Sequence, residues 1–177
     1  MHPMTRVVAA VTLLLAAACA ELPPAPDAFE FELTGRIAAR YRDEASSGTL
    51  AWRHRAARDD VLLSSPFGHG VARITREGET VTLITGDDKR YSAADAETLT
   101  EQVLGFRLPL RGLTDWVRAR PATDAPAQAE YAADGRLLSL EQRGWRIEYM
   151  AYEGVQPKRL KLLYPGLELR LAISEWK

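Results

Sequence analysis

From Phe29 to the carboxyl terminus, apolar side chains recur mostly at every second position, the period of a strand with one dry face. Phe29, Phe31 and Leu33 alternate with Glu30 and Glu32, Leu50 goes with Trp52, Val61 with Leu63 and Val81 with Leu83, and Val71 falls in the same rhythm. The breaks carry turn chemistry: Ser46-Ser47-Gly48, Glu77-Gly78, Gly86-Asp87-Asp88, Asp134-Gly135, Gly144, Gly154 and Pro165-Gly166. Breaks this short join antiparallel neighbours. After Tyr91 the period lengthens. Ser92 with Asp95 predicts a capping box, Ala96, Leu99 and Val103 follow at helical spacing, and Gly105 closes the run. Pro109 opens a second helix with Leu110, Leu113 and Trp116 or Val117 on one face. Past an Ala/Pro-rich loop, strands resume, and in the last one Leu167, Leu169, Leu171 and Ile173 oppose Glu168, Arg170 and Ser174. About eleven strands with two helices inserted among them predict a mainly β (α+β) fold. The expected form is a half-open antiparallel β-barrel whose helices cover the concave apolar face. Periodicity leaves open whether that interior is a filled core or a pocket, since both need the same inward residues.

Ahead of this domain, Arg6 and the apolar stretch Val7 to Ala18 read as a signal peptide over residues 1–18. The stretch is too short for a bilayer span, which takes roughly 20 residues. The small residues Ala16, Ala17 and Ala18 run into Cys19, an arrangement that resembles a bacterial lipobox. Cys19 is thus the expected lipidation site, its thiol diacylated and its freed amine acylated after cleavage. Leu15 stands four residues before the cysteine, where lipoboxes place it three before. Ala20, in place of Asp, directs a lipoprotein to the outer membrane under the enterobacterial sorting pattern. The domain expectation is a signal peptide at 1–18, a lipidated cysteine and Pro-rich tether at 19–28, and one folded domain at 29–177.

Charge and cysteine content narrow the function. Lys and Arg total 23 against 24 Asp and Glu, so no basic excess points to nucleic acid. The single Cys excludes an intramolecular disulfide and a multi-cysteine metal site. His54 and His69 have no companions at ligand spacing and are expected at the surface or satisfied structurally, with no metal and no cofactor. Asp59-Asp60, Asp87-Asp88 and Asp95/Glu97 are expected to be solvated, in turn-like or capping positions. No nucleophile elbow or phosphate loop is present, so an enzyme is not expected.

One segment resists a bland reading. Ser65-Pro66-Phe67-Gly68 sets a large aromatic where a turn tip is expected. Either Phe67 folds back onto the core, or it is an exposed apolar finger for a membrane or partner.

Several short motifs, taken in order, resemble the outer-membrane lipoprotein receptor family LolB. They are Gly35-Arg36, Gly48-x-Leu50-x-Trp52, Ser65-Pro66-Phe67-Gly68, Tyr91-x-Ala93-x-Asp95-Ala96-Glu97, Leu104-Gly105-x-x-Leu108-Pro109, Leu113-x-x-Trp116, Gln142-x-Gly144-Trp145-x-Ile147-x-Tyr149, Pro157-x-Arg159-Leu160 and the terminal Trp176. The resemblance implies a lipid-anchored protein on the periplasmic face of the outer membrane. Such a protein accepts triacylated lipoproteins from the carrier LolA and inserts them into outer-membrane lipid, holding acyl chains in an apolar cavity. It also implies that Phe67, flanked by Pro66 and Gly68, forms the membrane-insertion loop, where the family usually has Leu. The tether is shorter than in some members. Trp52, Leu99, Val103, Leu113, Trp116 and Tyr149 are the expected cavity lining, because aromatic and aliphatic surface suits acyl chains. A monomer without catalytic residues is expected. The alternative is a structural or small hydrophobic-ligand-binding outer-membrane lipoprotein that transfers nothing.

Overall fold

Alternation becomes pairing throughout. The computed structural model describes residues 29–177 apart from Ala57, so the expected signal peptide at 1–18, Cys19 and the tether to residue 28 lie outside the described residues. The strands are β1 (Phe31–Tyr41), β2 (Glu44–Arg55), β3 (Arg58–Ser64), β4 (Gly70–Glu77), β5 (Thr80–Thr85), β6 (Arg90–Ala93), β7 (Ala127–Tyr131), β8 (Leu137–Gln142), β9 (Trp145–Glu153), β10 (Gln156–Tyr164) and β11 (Leu167–Trp176). They form one antiparallel sheet in the order β6-β5-β4-β3-β2-β1-β11-β10-β9-β8-β7, with β6 and β7 as free edges. The barrel is therefore open, as the sequence predicts.

The sheet has two distinct ends. The β1–β2, β3–β4 and β10–β11 turns share the upper end, where Tyr41 pairs with Leu167 and the Arg42 N–H reaches Gly166 O at 3.3 Å. The lower end holds the start of β1, where Phe31 pairs with His54, and the carboxyl terminus, where Glu32 and Lys177 exchange backbone hydrogen bonds. The central seam between β1 and β11 is close-packed. A Cβ on Gly35 would stand 2.4 Å from Ala172 O, so only glycine fits at this bulge.

Helices α1 (Ala96–Leu104) and α2 (Leu110–Trp116) lie between β6 and β7 in the chain. Leu110, Leu113, Trp116 and Val117 share the buried face predicted for the second helix, and Gly105 ends the first in a left-handed conformation at φ 82°.

Three local expectations are corrected. Val71 is 48% exposed, and Ala72 and Ile74 are the inward residues of β4. In Gly70-Val71-Ala72-Arg73-Ile74 apolar residues occupy both parities, and the ladder Val61↔Ile74↔Leu83 selects the second. Ser92 caps nothing: it sits in β6 with its hydroxyl 3.1 Å from that of Thr82, while Asp95 itself caps α1, accepting from the Glu97 and Thr98 N–H groups at 3.1 and 3.0 Å. Asp59 is not solvated. It lies on β3, fully buried, where its Oδ1 accepts from Trp52 Nε1 (2.8 Å) and His54 Nδ1 (2.7 Å) and its Oδ2 from Arg76 Nε (2.6 Å). Burial pushes the Asp59 carboxyl up, but the His54 and Trp52 hydrogen bonds and the Arg76 charge outweigh it and hold the group below the ordinary carboxylate value.

Candidate functional site

Beneath the helices the middle of the sheet's inner face is apolar. Ile37, Leu50, Trp52, Leu63, Leu162 and Leu171 rise from the strands, and Phe106, Leu108, Leu110, Leu113 and Val117 come down from the helical segment. Between them lies a dry cavity of about 40 Å³. One water-sized group needs about 10–15 Å³, so the space holds only a few, and its apolar walls give water nothing to bond.

The cover is not held evenly. Gln142, an inward polar residue of β8, accepts from Trp116 Nε1 and the Ala122 N–H and donates to Ala122 O and Ala125 O, all at 2.8 Å. Every hydrogen-bonding capacity of the amide is thereby used. The Tyr149 hydroxyl donates to Trp116 O at 2.8 Å, and burial raises its pKa far above the phenolic norm, so it stays a donor. Arg118, just past α2, donates to Thr114 O and pairs with Glu30 at 3.2 Å, whose carboxylate lies 3.7 Å from His54 Nε2. Ion pairing and hydrogen bonds thus run from α2 to the buried Asp59 centre. In α1, by contrast, Leu99 and Thr100 are buried, and among the described residues no side chain of the helix hydrogen-bonds the sheet. Its polar ties reach only the connection before α2: Thr100 Oγ1 accepts from the Leu108 N–H at 2.8 Å, and exposed Glu101 pairs with Arg107 at 2.8 Å.

Of the residues expected to line a cavity, Trp52 and Leu113 border this one. Leu99, Trp116 and Tyr149 are buried elsewhere in the same core, and Val103 packs half-buried against it. Phe106, and the cavity role of Leu108, which the sequence presents only as part of a motif, escaped the sequence reading because both sit in an irregular connection with no period. The clamping role of Gln142, also presented only as part of a motif, escaped it too, since one polar residue in an alternating strand carries no signal that it points inward.

Phe67 stands at the tip of the β3–β4 loop and is 89% exposed. The loop is braced beneath it: the Gly68 N–H donates to Ser65 O (2.9 Å) and the Ser65 N–H to His69 O (2.8 Å). Pro66 presets the first turn angle, and Gly68, at φ 84°, takes a conformation that a side chain would strain. Phe67 therefore projects from a fixed base.

An open, curled antiparallel sheet covered by a mid-chain helical segment around an apolar interior defines a fold class that recurs among solved structures. Solved structures of similar shape include a LolA superfamily protein from Nitrosomonas europaea, at TM-score 0.51 and 11% identity over 82% of this chain and 85% of that one. A DUF1329 family protein from Desulfovibrio piger matches at TM-score 0.54 and 6% identity, covering 85% and 86% of the two chains. The sequence is more specific. The family model for outer membrane lipoprotein LolB matches residues 29–176. The outer-membrane lipoprotein LolB of Thiobacillus denitrificans is 39% identical over 155 residues, 87% of this chain and 83% of its own. That of Pseudomonas fluorescens is 39% identical over 150 residues, 82% and 73% of the two. The chain belongs to the LolB family of outer-membrane lipoproteins.

Proposed function

We propose that this protein accepts triacylated lipoproteins from the periplasmic carrier LolA and inserts them into the outer membrane, to whose periplasmic face acylated Cys19 anchors it. The observation that carries this reading is the cavity lined only by apolar side chains under a cover secured at α2 and lightly tied at α1. Burying a chain yields about 0.8 kcal/mol per methylene, so each long chain is held by roughly 10 kcal/mol and cannot cross water unsheltered. Lifting α1 with Phe106 and Leu108 opens the apolar floor while α2 keeps the wall in place. Transfer needs no energy source if each acceptor binds the chains better than its donor. Phe67 then enters the lipid: its burial is worth about 1.5–3 kcal/mol, enough for brief contact and too little to compete with a lipid anchor. Catalysis has no part in this reading, since the buried Asp59 and His54 are enclosed by Trp52, Phe31 and Arg76.

A carrier of the LolA type, loaded with a lipoprotein and mixed with a soluble form of this protein, should lose its cargo to it. Cargo that stays on the carrier overturns the reading. The rival, a lipoprotein that stores a small apolar ligand, is favoured by the small volume of about 40 Å³ and would show ligand uptake without cargo exchange.

A further inference from the structure

The cover over the cavity is thinnest toward the upper end. Of the residues around the cavity, Ile37, Leu63 and Phe106 are half-buried and the rest are buried. The inner row of β1 goes from buried Phe31 and Leu33 to half-buried Ile37, Ala39 and Tyr41, which pack against the edge of the core. An apolar strip therefore leaves the cavity beside Phe106 and runs up the inner face toward the turns.

The β3–β4 loop overhangs this strip. Gly48 of β2 pairs with Ile37 and shares its inner face, and a Cβ there would collide with Ser64 O and lie 3.9 Å from Ser65 Cα. The end of β3 thus crosses the inner side of β2, a close approach that requires glycine. Ser65 follows Leu63 by two positions, the strand period, which places it at the strip's upper edge, half-buried. Its Oγ is buried and has no hydrogen-bond partner among the described residues. Such a hydroxyl is unfavourable in the empty protein, and turning it about the Cα–Cβ bond breaks no hydrogen bond.

We propose that this side of the cavity is a portal for acylated cargo, at which the Ser65 hydroxyl donates to the carbonyl oxygen of an ester- or amide-linked acyl chain. No charged side chain lines the cavity, so a neutral carbonyl fits it where a free carboxylate, which needs a cation, does not. Four residues of β3 from Ser65 to Val61 span about 13 Å, so a chain held at Ser65 lies along Leu63 and reaches Val61 and Trp52, which pair across β3 and β2. The head of the cargo then sits two residues from Phe67. The inference rests on the proposed function, to which it adds the direction of the bound chain: methyl end in the cavity, carbonyl end under the finger.

Photolabelling reads that direction. The full chain with Cys19→Ala, which removes the lipidation site, is loaded with a triacylated lipopeptide carrying a diazirine on one palmitoyl chain. A diazirine beside the carbonyl should label residues 63–69, and one at the methyl end should label Trp52 and residues 108–117. The same labelled segments for both probes, or a carbonyl-side label at the lower end, would overturn the portal. Ser65→Ala should weaken lipopeptide binding about five- to tenfold without lowering the stability of the empty protein, because the hydroxyl it removes has no partner there. Ser65→Thr, which keeps the hydroxyl, should bind like wild type. Undiminished binding by Ser65→Ala overturns the hydrogen bond to cargo, and a loss of stability reveals a partner within the fold and overturns it equally. Palmitate should compete less well than its methyl ester; the reverse order overturns the neutral acceptor. A diacyl phospholipid that displaces the lipopeptide at equal concentration makes membrane lipid the occupant and overturns the assignment to cargo. Carbonyl-side labelling of residues 63–69 in a protein that takes no cargo from the carrier supports the portal and overturns the proposed function.

Discussion

The two helices of this protein have similar length and opposite attachments. α2 is fastened by polar groups that the sheet supplies: Gln142 grips Trp116 and the chain after it, Tyr149 holds Trp116 O, and Arg118 and Glu30 carry the connection toward Asp59. α1 rests on apolar contact and two polar ties to the connection that follows it, Thr100 with the Leu108 backbone and Glu101 with Arg107. Hydrogen bonds that saturate buried groups resist small displacements, because each broken one strands a donor or acceptor. Apolar contact lets go gradually and regains its area against any other apolar partner, an acyl chain included. Under the proposed function, the difference makes α2 the fixed wall and α1 the part that moves.

The largest test of that contrast lies at the far end of the α2 fastening. Asp59→Ala should lower the unfolding free energy by about 3–5 kcal/mol in denaturant titrations, because it strands buried Arg76, His54 and Trp52 donors. The same carboxyl sets an acid limit. Its folded pKa lies below the ordinary value near 3.9, so its contribution is complete above about pH 4 and is lost as pH falls through the folded value. Asp59→Asn should flatten that acid dependence, and an unchanged profile would show that the centre is not charged as described.

Gln142→Leu should cost about 1–3 kcal/mol by leaving the Trp116 and Ala122 groups unpaired, and it should speed amide exchange across α2 and residues 117–122. If α2 exchanges no faster, the polar clamp is not what holds the wall. Asp95→Ala should cost about 1 kcal/mol through loss of the α1 cap, raising exchange in α1 while leaving α2 protected. Matched increases in both helices would erase the distinction between them. The smallest stability effect belongs to the loop outside both helices: Phe67→Glu should change stability by no more than about 0.5 kcal/mol. Under the proposed function it blocks delivery to liposomes while cargo acceptance persists, and Phe67→Leu stays near wild type.

The fold was legible wherever one period served one face. The run Leu167, Leu169, Leu171 and Ile173 appears in β11 as read, and so does the α2 stripe, because solvent and core make opposite demands on adjacent positions. Legibility ended where a long-range partner decides a residue's environment. Asp59 looks like half of a solvated acidic pair until β4 brings Arg76 across from it and β2 brings His54 and Trp52. Val71 and Ala72 are both plausible inward residues until Leu63 and Thr85 take their places beside Ala72. The exposure of Phe67 comes from a turn whose residue types were visible, but the same types allow the ring to lie down, and only the braced loop geometry raises it.

The pairing of β1 with β11 also orders events in time. The first and last strands of the domain meet at the middle of the sheet, so β1–β6 and β7–β10 grow as two local meanders with short loops and no shared ladder. Such hairpins form from near neighbours and need little loop closure. Joining them requires the final strand, Leu167–Trp176, to pair with β1 about 130 residues earlier in the chain, a costly closure that nothing upstream replaces. Folding therefore completes only after the whole domain has been synthesised, and truncation within the last ten residues should yield two unjoined half-sheets instead of a slightly shortened barrel.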